Sequence, residues 1–279
     1  MGKYIIRRIL SLIPVLLLIS IITFLLIYFV PGDPAAVMLG VDATPQEVEA
    51  LREELGLNEP IHVRFFIWIS NAVRGDLGDS FFLGGMEVSK VLLQRLPATI
   101  QLALTSLVFA VIIGVPLGII AAVRQNTIVD QAVMTVSLLG VSIPSFWLGL
   151  ILILLLSVYI HIFPSGGYTP MSESFFGWLR YIILPAFSLG FMQSALIARM
   201  TRSSMLDVLR QDYIRTAQAK GLANNTVITR HAFKNATIPI LTVVGITFGV
   251  LLGGAIIVET VFTYPGVGRL VVKAVQRRD

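Results

Sequence analysis

Side chains able to do chemistry are scarce in this chain and scattered along it. His62, His161 and His231 lie far apart and lack the spacing of metal ligands, so no metal site is expected. There is no cysteine, which excludes disulfides and thiolate sites. Neither a G-x-x-x-x-G-K-[ST] phosphate loop nor an HExxH pair occurs, and the apolar runs hold no paired aspartates. ATP binding and intramembrane hydrolysis are therefore not expected of this polypeptide, which reads as a non-enzyme. Within the apolar runs the polar groups are neutral, among them Gln101, Ser142, Ser145, Gln193 and Ser194. These five are candidates for a wet pathway that holds a zwitterionic solute through its backbone. Hydroxyls in membrane spans also bond their own helix carbonyls, which is the plainer reading. A proton-coupled carrier keeps an ionisable group at membrane depth. With none expected there, and no nucleotide site, any transport through this chain would need an energised partner.

The place to attach one is the stretch from Arg199 to Pro239, the one long segment that is basic, helix-patterned and too polar to lie in lipid. It carries Arg199, Arg202, Arg210, Arg215, Lys220, Arg230 and Lys234 against Asp207 and Asp212. Lys and Arg resist translocation, so a basic connection between two spans belongs on the cytoplasmic side. Met205, Leu206, Leu209, Tyr213 and Ala217 recur at helical spacing, which predicts one helix from Ser203 to Ala219. Gly221 ends it, since glycine takes the left-handed C-terminal position without steric cost. A short helix with small residues at Ala217 and Ala219 fits a groove on a partner protein. Composition by itself favours a solvated linker, and the basic count would also suit a helix held by anionic lipid.

The wording of this stretch goes further. D-Y-I-R-T-A-Q-A-K-G-L, followed by R-H-A-F-K-N-A-T-I-P-I, resembles the cytoplasmic signature loop of ATP-binding-cassette importer permeases, in the dipeptide, oligopeptide and nickel branch. P-G-D-P, L-G-L-N-E-P and G-D-L-G, near the N-terminus, resemble the same branch. The resemblance implies an all-α polytopic membrane protein with the type I importer permease fold. It makes the loop a coupling helix that docks on an ATPase through Asp212, Tyr213, Arg215, Thr216, Ala217, Ala219, Lys220 and Gly221. Asn235 to Pro239 would open the next span. The family motif begins Glu-Ala-Ala, where this chain has Arg215, Thr216 and Ala217, so a salt bridge from that glutamate is not carried over. The implied partners are a homologous second permease, two cytoplasmic ATPase subunits and an extracytoplasmic solute-binding protein. ATP and Mg would sit on the ATPase subunits, leaving no cofactor in this chain. The implied solutes are di- and oligopeptides, with nickel chelates and glutathione as alternatives in the same branch. A stand-alone channel or ion-coupled carrier is the alternative from another class.

Composition agrees with membrane lipid as solvent. Apolar residues make up 56% of 279 and charged residues 13%, with a mean hydropathy of +0.84. Soluble chains are nearer a quarter charged. A pI of 9.7 would suggest nucleic acid in a soluble protein, but here the bases flank apolar runs and set orientation instead. The first span is expected from about Ile9 to Val30, preceded by Lys3, Arg7 and Arg8, which keep the N-terminus cytoplasmic. It is too long for a signal-peptide core and is followed by no small-residue cleavage site.

Residues 1–30 thus form a tail and first span, 31–97 an extracytoplasmic helical segment, and 98–279 the permease core with its coupling loop at 199–237. In the outer segment Thr44-Pro45-Gln46-Glu47 is a capping box that starts a helix ending near Gly56. A second helix from Pro60 presents Phe65, Phe66, Ile69 and Val73 to the membrane surface or to a substrate-delivery protein. Further spans are expected at about Thr99–Val123, Gln131–Ile160 with a tilt or kink at Pro144, Tyr181–Ala198 and Ile238–Val258. Gly114 and Gly118, four apart, allow close helix approach, as does the run Gly245, Gly249 and Gly253. The latter face suits packing within the chain or against a partner permease. Five spans leave the C-terminus outside. The E-T-V-F … Y-P-G-V-G-R tail resembles the segment that precedes a sixth span in the family. The sequence stops at Asp279 without it, which reads as truncation.

Overall fold

The computed structural model describes residues 2–29, 33–40, 43–80 and 82–277. Val30, the Pro31 and Gly32 of the P-G-D-P motif, and Asp279 lie outside them. The chain divides into two compact units, residues 1–94 with 273–279, and residues 95–272.

In the first unit α1 (Gly2–Phe29) leaves apolar side chains such as Ile6, Leu10 and Leu16 exposed, as a helix solvated by lipid does. Asp33 caps α2 (Pro34–Leu39) by accepting from the Ala35 amide, and an ion pair to Arg52 ties it to α3 (Pro45–Glu54). The capping box that opens α3 is present in full. The Thr44 amide, and then its hydroxyl, hold the Glu47 carboxyl below its ordinary value. In α4 (Ile61–Val73), Phe65 meets Phe24 of α1 edge-on at 5.4 Å, whereas Phe66 and Val73 face outward. Residues Asp79–Ser80 and Met86–Glu87 form a two-residue antiparallel ladder that the helical pattern had not foreshadowed.

α5 (Val88–Val123) leads into α6 (Ile128–Ser142), α7 (Ser145–Leu152) with a π-helical continuation at Ile153–Tyr159, and α8 (Phe175–Leu209). Then come α9 (Asp212–Ala219), α10 (Asn224–Thr226), a π-helical turn at Val227–Phe233, α11 (Lys234–Val261) and α12 (Val267–Arg277). Among the described residues, four helical stretches are long and apolar enough to cross a membrane, and the bent pair α6–α7 makes up to five. The second unit is organised around α8, which packs against α6, α7 and α11. α5 approaches it through glycine. A Cβ at Gly114 would lie 2.5 Å from the Ser194 carbonyl oxygen, and one at Gly118 would lie 2.5 Å from that of Ala198. No side chain fits at either position, so the backbones sit nearly in contact.

Four expectations are corrected. The third span is no kinked rod. It breaks at Pro144 and turns through 96°, because proline pushes Ile143 out of the helical region to φ −85°, ψ 117°. The single helix from Ser203 to Ala219 is two, α8 and α9, separated at Arg210–Gln211. Met205 and Ile214 are both fully buried in one cluster, yet nine residues at about 100° each would put them on opposite faces of a straight helix. The break resolves that conflict. The fifth span does not end at Val258: α11 runs to Val261 and so contains the fully buried Glu259, an ionisable group where none was expected. Lastly, Cβ atoms at Gly245, Gly249 and Gly253 would meet nothing within 4 Å, so this face is not an intrachain contact among the described residues.

These two glycine sets should respond differently to substitution. Gly118→Val should cost about 1–3 kcal/mol through overpacking, read as a lower unfolding temperature in detergent. Gly249→Ala should stay within about 0.5 kcal/mol for the isolated chain. Equal losses at both positions would contradict the packing described.

Candidate functional site

At one end of the second unit, α9 lies across a cluster made by Ala122 of α5, Met205 of α8, Val227 and Ala232 of the π-helical turn, and Ala236 and Ile240 of α11. Ile214 and Ala217 are the inward residues of α9, with 0% and 6% of their surfaces exposed. Its amphipathic spacing explains this: i and i+3 share a face. On the outward side Asp212, Arg215, Thr216, Ala219 and Lys220 are exposed. Arg215 makes an exposed ion pair with Asp212 at 3.4 Å, and the Thr216 hydroxyl donates to the Asp212 carbonyl. Tyr213 sits at the edge, where its hydroxyl accepts from Asn235 Nδ2 at 2.9 Å. Asn235 also donates to the His231 carbonyl, so α9 is stapled to the start of α11.

Gly221 closes α9 with φ +77°. The Leu222 amide donates to the Ala217 carbonyl and the Gly221 amide to that of Gln218, the paired bonds of a Schellman stop. All eight residues expected to dock thus lie on one short helix and its stop. Ala217 alone is turned away from any partner, and Ile214, missed in the sequence, takes the larger share of the seat.

The five expected pathway residues are not brought together. Gln101 accepts from the Trp178 indole at 2.9 Å. The Ser142 and Ser194 hydroxyls donate to Leu138 and Phe191 of their own helices. Ser145 is the first residue of α7, and Gln193 is buried within α8. A cavity of about 430 Å³ occurs elsewhere, beside Ser157, His161, Ser165, Arg180 and Tyr181. No cluster of metal-binding side chains occurs among the described residues.

Two polar constellations escaped the sequence reading because their members are far apart in the chain. Thr99 donates to Glu259 at 2.6 Å, while the Arg269 amide donates to the other carboxylate oxygen at 2.9 Å. The Val267 amide donates to Thr99, so the carboxylate and this hydroxyl together hold the start of α12. Both oxygens of Glu259 are therefore engaged, which suits a structural tie better than a proton relay. At the opposite end of the unit, Asp130 and Arg202 form a two-point ion pair at 2.5 and 2.6 Å. Residues 99–101, 178 and 259–269 meet at one end of the unit, and residues 118–130, 198–217 and 227–240 at the other.

Comparison with known proteins matches residues 114–279 to the model of the binding-protein-dependent transport system inner membrane component and residues 1–103 to its N-terminal membrane-component counterpart. A putative peptide transport system permease protein of Brucella suis is 46% identical over 279 residues, covering all of this chain and 88% of the relative. An oligopeptide transport system permease protein of Bacillus subtilis is 42% identical over 281 residues, covering all of this chain and 89% of that protein. A glutathione transport system permease protein of Escherichia coli O6:H1 is 44% identical over 279 residues, with 100% and 88% covered.

The seat of α9 has a direct consequence. Ile214→Ala should remove about 2–5 kcal/mol of packing and accelerate amide hydrogen exchange across 212–219 while leaving α8 protected. Unchanged exchange there would mean that something other than Ile214 holds the helix.

Proposed function

The chain belongs to the binding-protein-dependent transport system inner membrane components, a multi-pass transport permease and not an enzyme, and from that premise we propose that α9 is the coupling helix through which partner ATPases drive peptide import. The observation that carries this is the form of α9: a short helix rigidly seated by Ile214 and Ala217, stopped by Gly221, with its charged and small residues turned outward. Such a helix can be moved as a body with the ends of α5, α8 and α11, because it shares one apolar cluster with them. The proposed docking residues are Asp212, Tyr213, Arg215, Thr216, Ala219, Lys220 and Gly221, with Ala217 as part of the seat.

The complete machine would hold this chain, a homologous second permease, two cytoplasmic ATPase subunits and an extracytoplasmic solute-binding protein, with the N-terminus in the cytoplasm. ATP and Mg act on the ATPase subunits. Closure of the ATPase pair pulls α9, and the spans convert that into alternating access. ATP can bias the outward-facing state only through contacts that differ between the two states, however tightly it binds. Di- and oligopeptides are the proposed solutes, supported by the names of the Brucella suis and Bacillus subtilis relatives. Glutathione, itself a tripeptide, stays within that class and has its own support from the Escherichia coli relative. The exposed stripe of Gly245, Gly249 and Gly253 is proposed as a face for the second permease.

Uptake of labelled peptides into proteoliposomes holding the assembled transporter tests this. Arg215→Glu, Lys220→Glu and Gly221→Val should each cut ATP-driven uptake roughly tenfold or more, equivalent to about 1.4 kcal/mol of lost docking, with membrane insertion intact. Full uptake by all three would count against the docking role.

A further inference from the structure

We propose that Asp130 and Arg202 are positioning residues that pass the displacement of α9 into the bent α6–α7 segment. The inference rests on the coupling role proposed for α9 and adds the route by which its motion leaves that helix.

The geometry is specific. Asp130 Oδ1 accepts from Arg202 Nε at 2.5 Å and Oδ2 accepts from a terminal guanidinium nitrogen at 2.6 Å. The same Oδ2 accepts from the Asn126 amide at 3.0 Å, and the Thr127 hydroxyl caps α6 at the Asp130 amide. One carboxylate thus joins the α5–α6 turn, the first turn of α6 and the far end of α8. Only 4% of the Asp130 side chain and 24% of the Arg202 side chain are exposed. Burying two charges is costly, and an apolar pair of similar volume would hold two helices together at least as well. What a forked pair adds is direction and register, since a planar guanidinium meets a carboxylate in one orientation.

Little else on α6 could supply that. Its buried residues are Asp130, Ser137 and Gly140. Gly140 faces the side chains of Ala195 and Phe191, an apolar contact along which helices can slide. Among the described residues, the two bonds of this pair are the side-chain hydrogen bonds between α6 and α8. Arg202 is also well placed to receive motion. Met205, three residues on and fully buried, is in the cluster that seats α9. Thr201, the residue before Arg202, sits against Gly118 of α5. A pull on α9 therefore arrives at Met205, passes to Arg202 within one helical turn, and crosses to α6 through Asp130. From there it meets the break at Pro144, where the 96° bend gives α6 and α7 freedom to change angle.

Adjacency alone does not establish coupling, so the test must read coupling itself. The complete transporter, with binding protein, second permease and ATPase subunits, is reconstituted and supplied with a pool of radiolabelled di- and tripeptides. Peptide uptake and ATP hydrolysis are measured together, along with the yield of assembled complex. Arg202→Lys keeps the charge and removes the fork. The double change Asp130→Leu with Arg202→Met replaces the pair by apolar bulk and guards against loss of folding. Both should assemble in normal yield and hydrolyse ATP, while peptide moved per ATP falls roughly tenfold, the size of a typical coupling free energy between sites. Unaltered peptide per ATP in both variants would overturn the inference. So would a loss of uptake that merely tracks a loss of assembled complex. If the unaltered transporter moved peptide without regard to ATP, the coupling role of α9 would fall as well, which separates the two failures.

Discussion

A helix of eight residues has no stability of its own in water, because helix nucleation is unfavourable and short helices recover too few bonds. α9 exists because Ile214 and Ala217 are sunk in apolar surface shared with α5, α8 and α11. That constraint organises the whole end of the unit. It forces the break at Arg210–Gln211, since only a break lets Met205 and Ile214 bury together. It also demands a sharp stop, which Gly221 provides with a conformation that other residues adopt only under strain. The outcome is a rod that cannot move without its seat. The outward residues Arg215, Thr216 and Lys220 are held in place by side chains on the other face.

The opposite end of the unit is tied by different means. There Thr99 and Glu259 gather the amides of Val267 and Arg269, so that a polar knot joins α5, α11 and the first turn of α12. Such a carboxylate is tolerable in a buried site because each oxygen has a donor. Between the two ends, α8 runs as the common support, and glycine at 114 and 118 brings α5 against its backbone. Rigid contact of this kind transmits displacement without absorbing it. The weak point is the Pro144 break, where no helical hydrogen-bond ladder resists a change of angle.

Much of this is legible in the chain itself. Apolar runs flanked by bases, the capping box at Thr44, the glycine stop at 221 and the close-approach pair at 114 and 118 are local patterns, and local patterns are what a sequence displays. The break in the 203–219 helix was not legible, because it contains neither proline nor glycine and arises from where two distant faces must bury. Ile214 was overlooked because it lies off the face that Met205 and Leu209 define on an unbroken helix. Glu259 and Asp130 sit at the margins of apolar runs, and nothing in their neighbourhood announces a partner 160 or 72 residues away. The pathway candidates share only their residue type, and burial and self-bonding divide them in a way that type does not anticipate.

The central claim is that the outward face of α9 lies in the cytoplasm against an ATPase. The absence of cysteine from the chain makes a direct measurement clean. With Thr216→Cys introduced and single cysteines placed on the ATPase subunit, a short cross-linker applied to the assembled transporter should join the two chains. Thiol reagents that cannot enter the cell should leave Cys at this position unlabelled in intact cells. Labelling from outside, or a complex in which no ATPase position cross-links to this helix, would contradict the account.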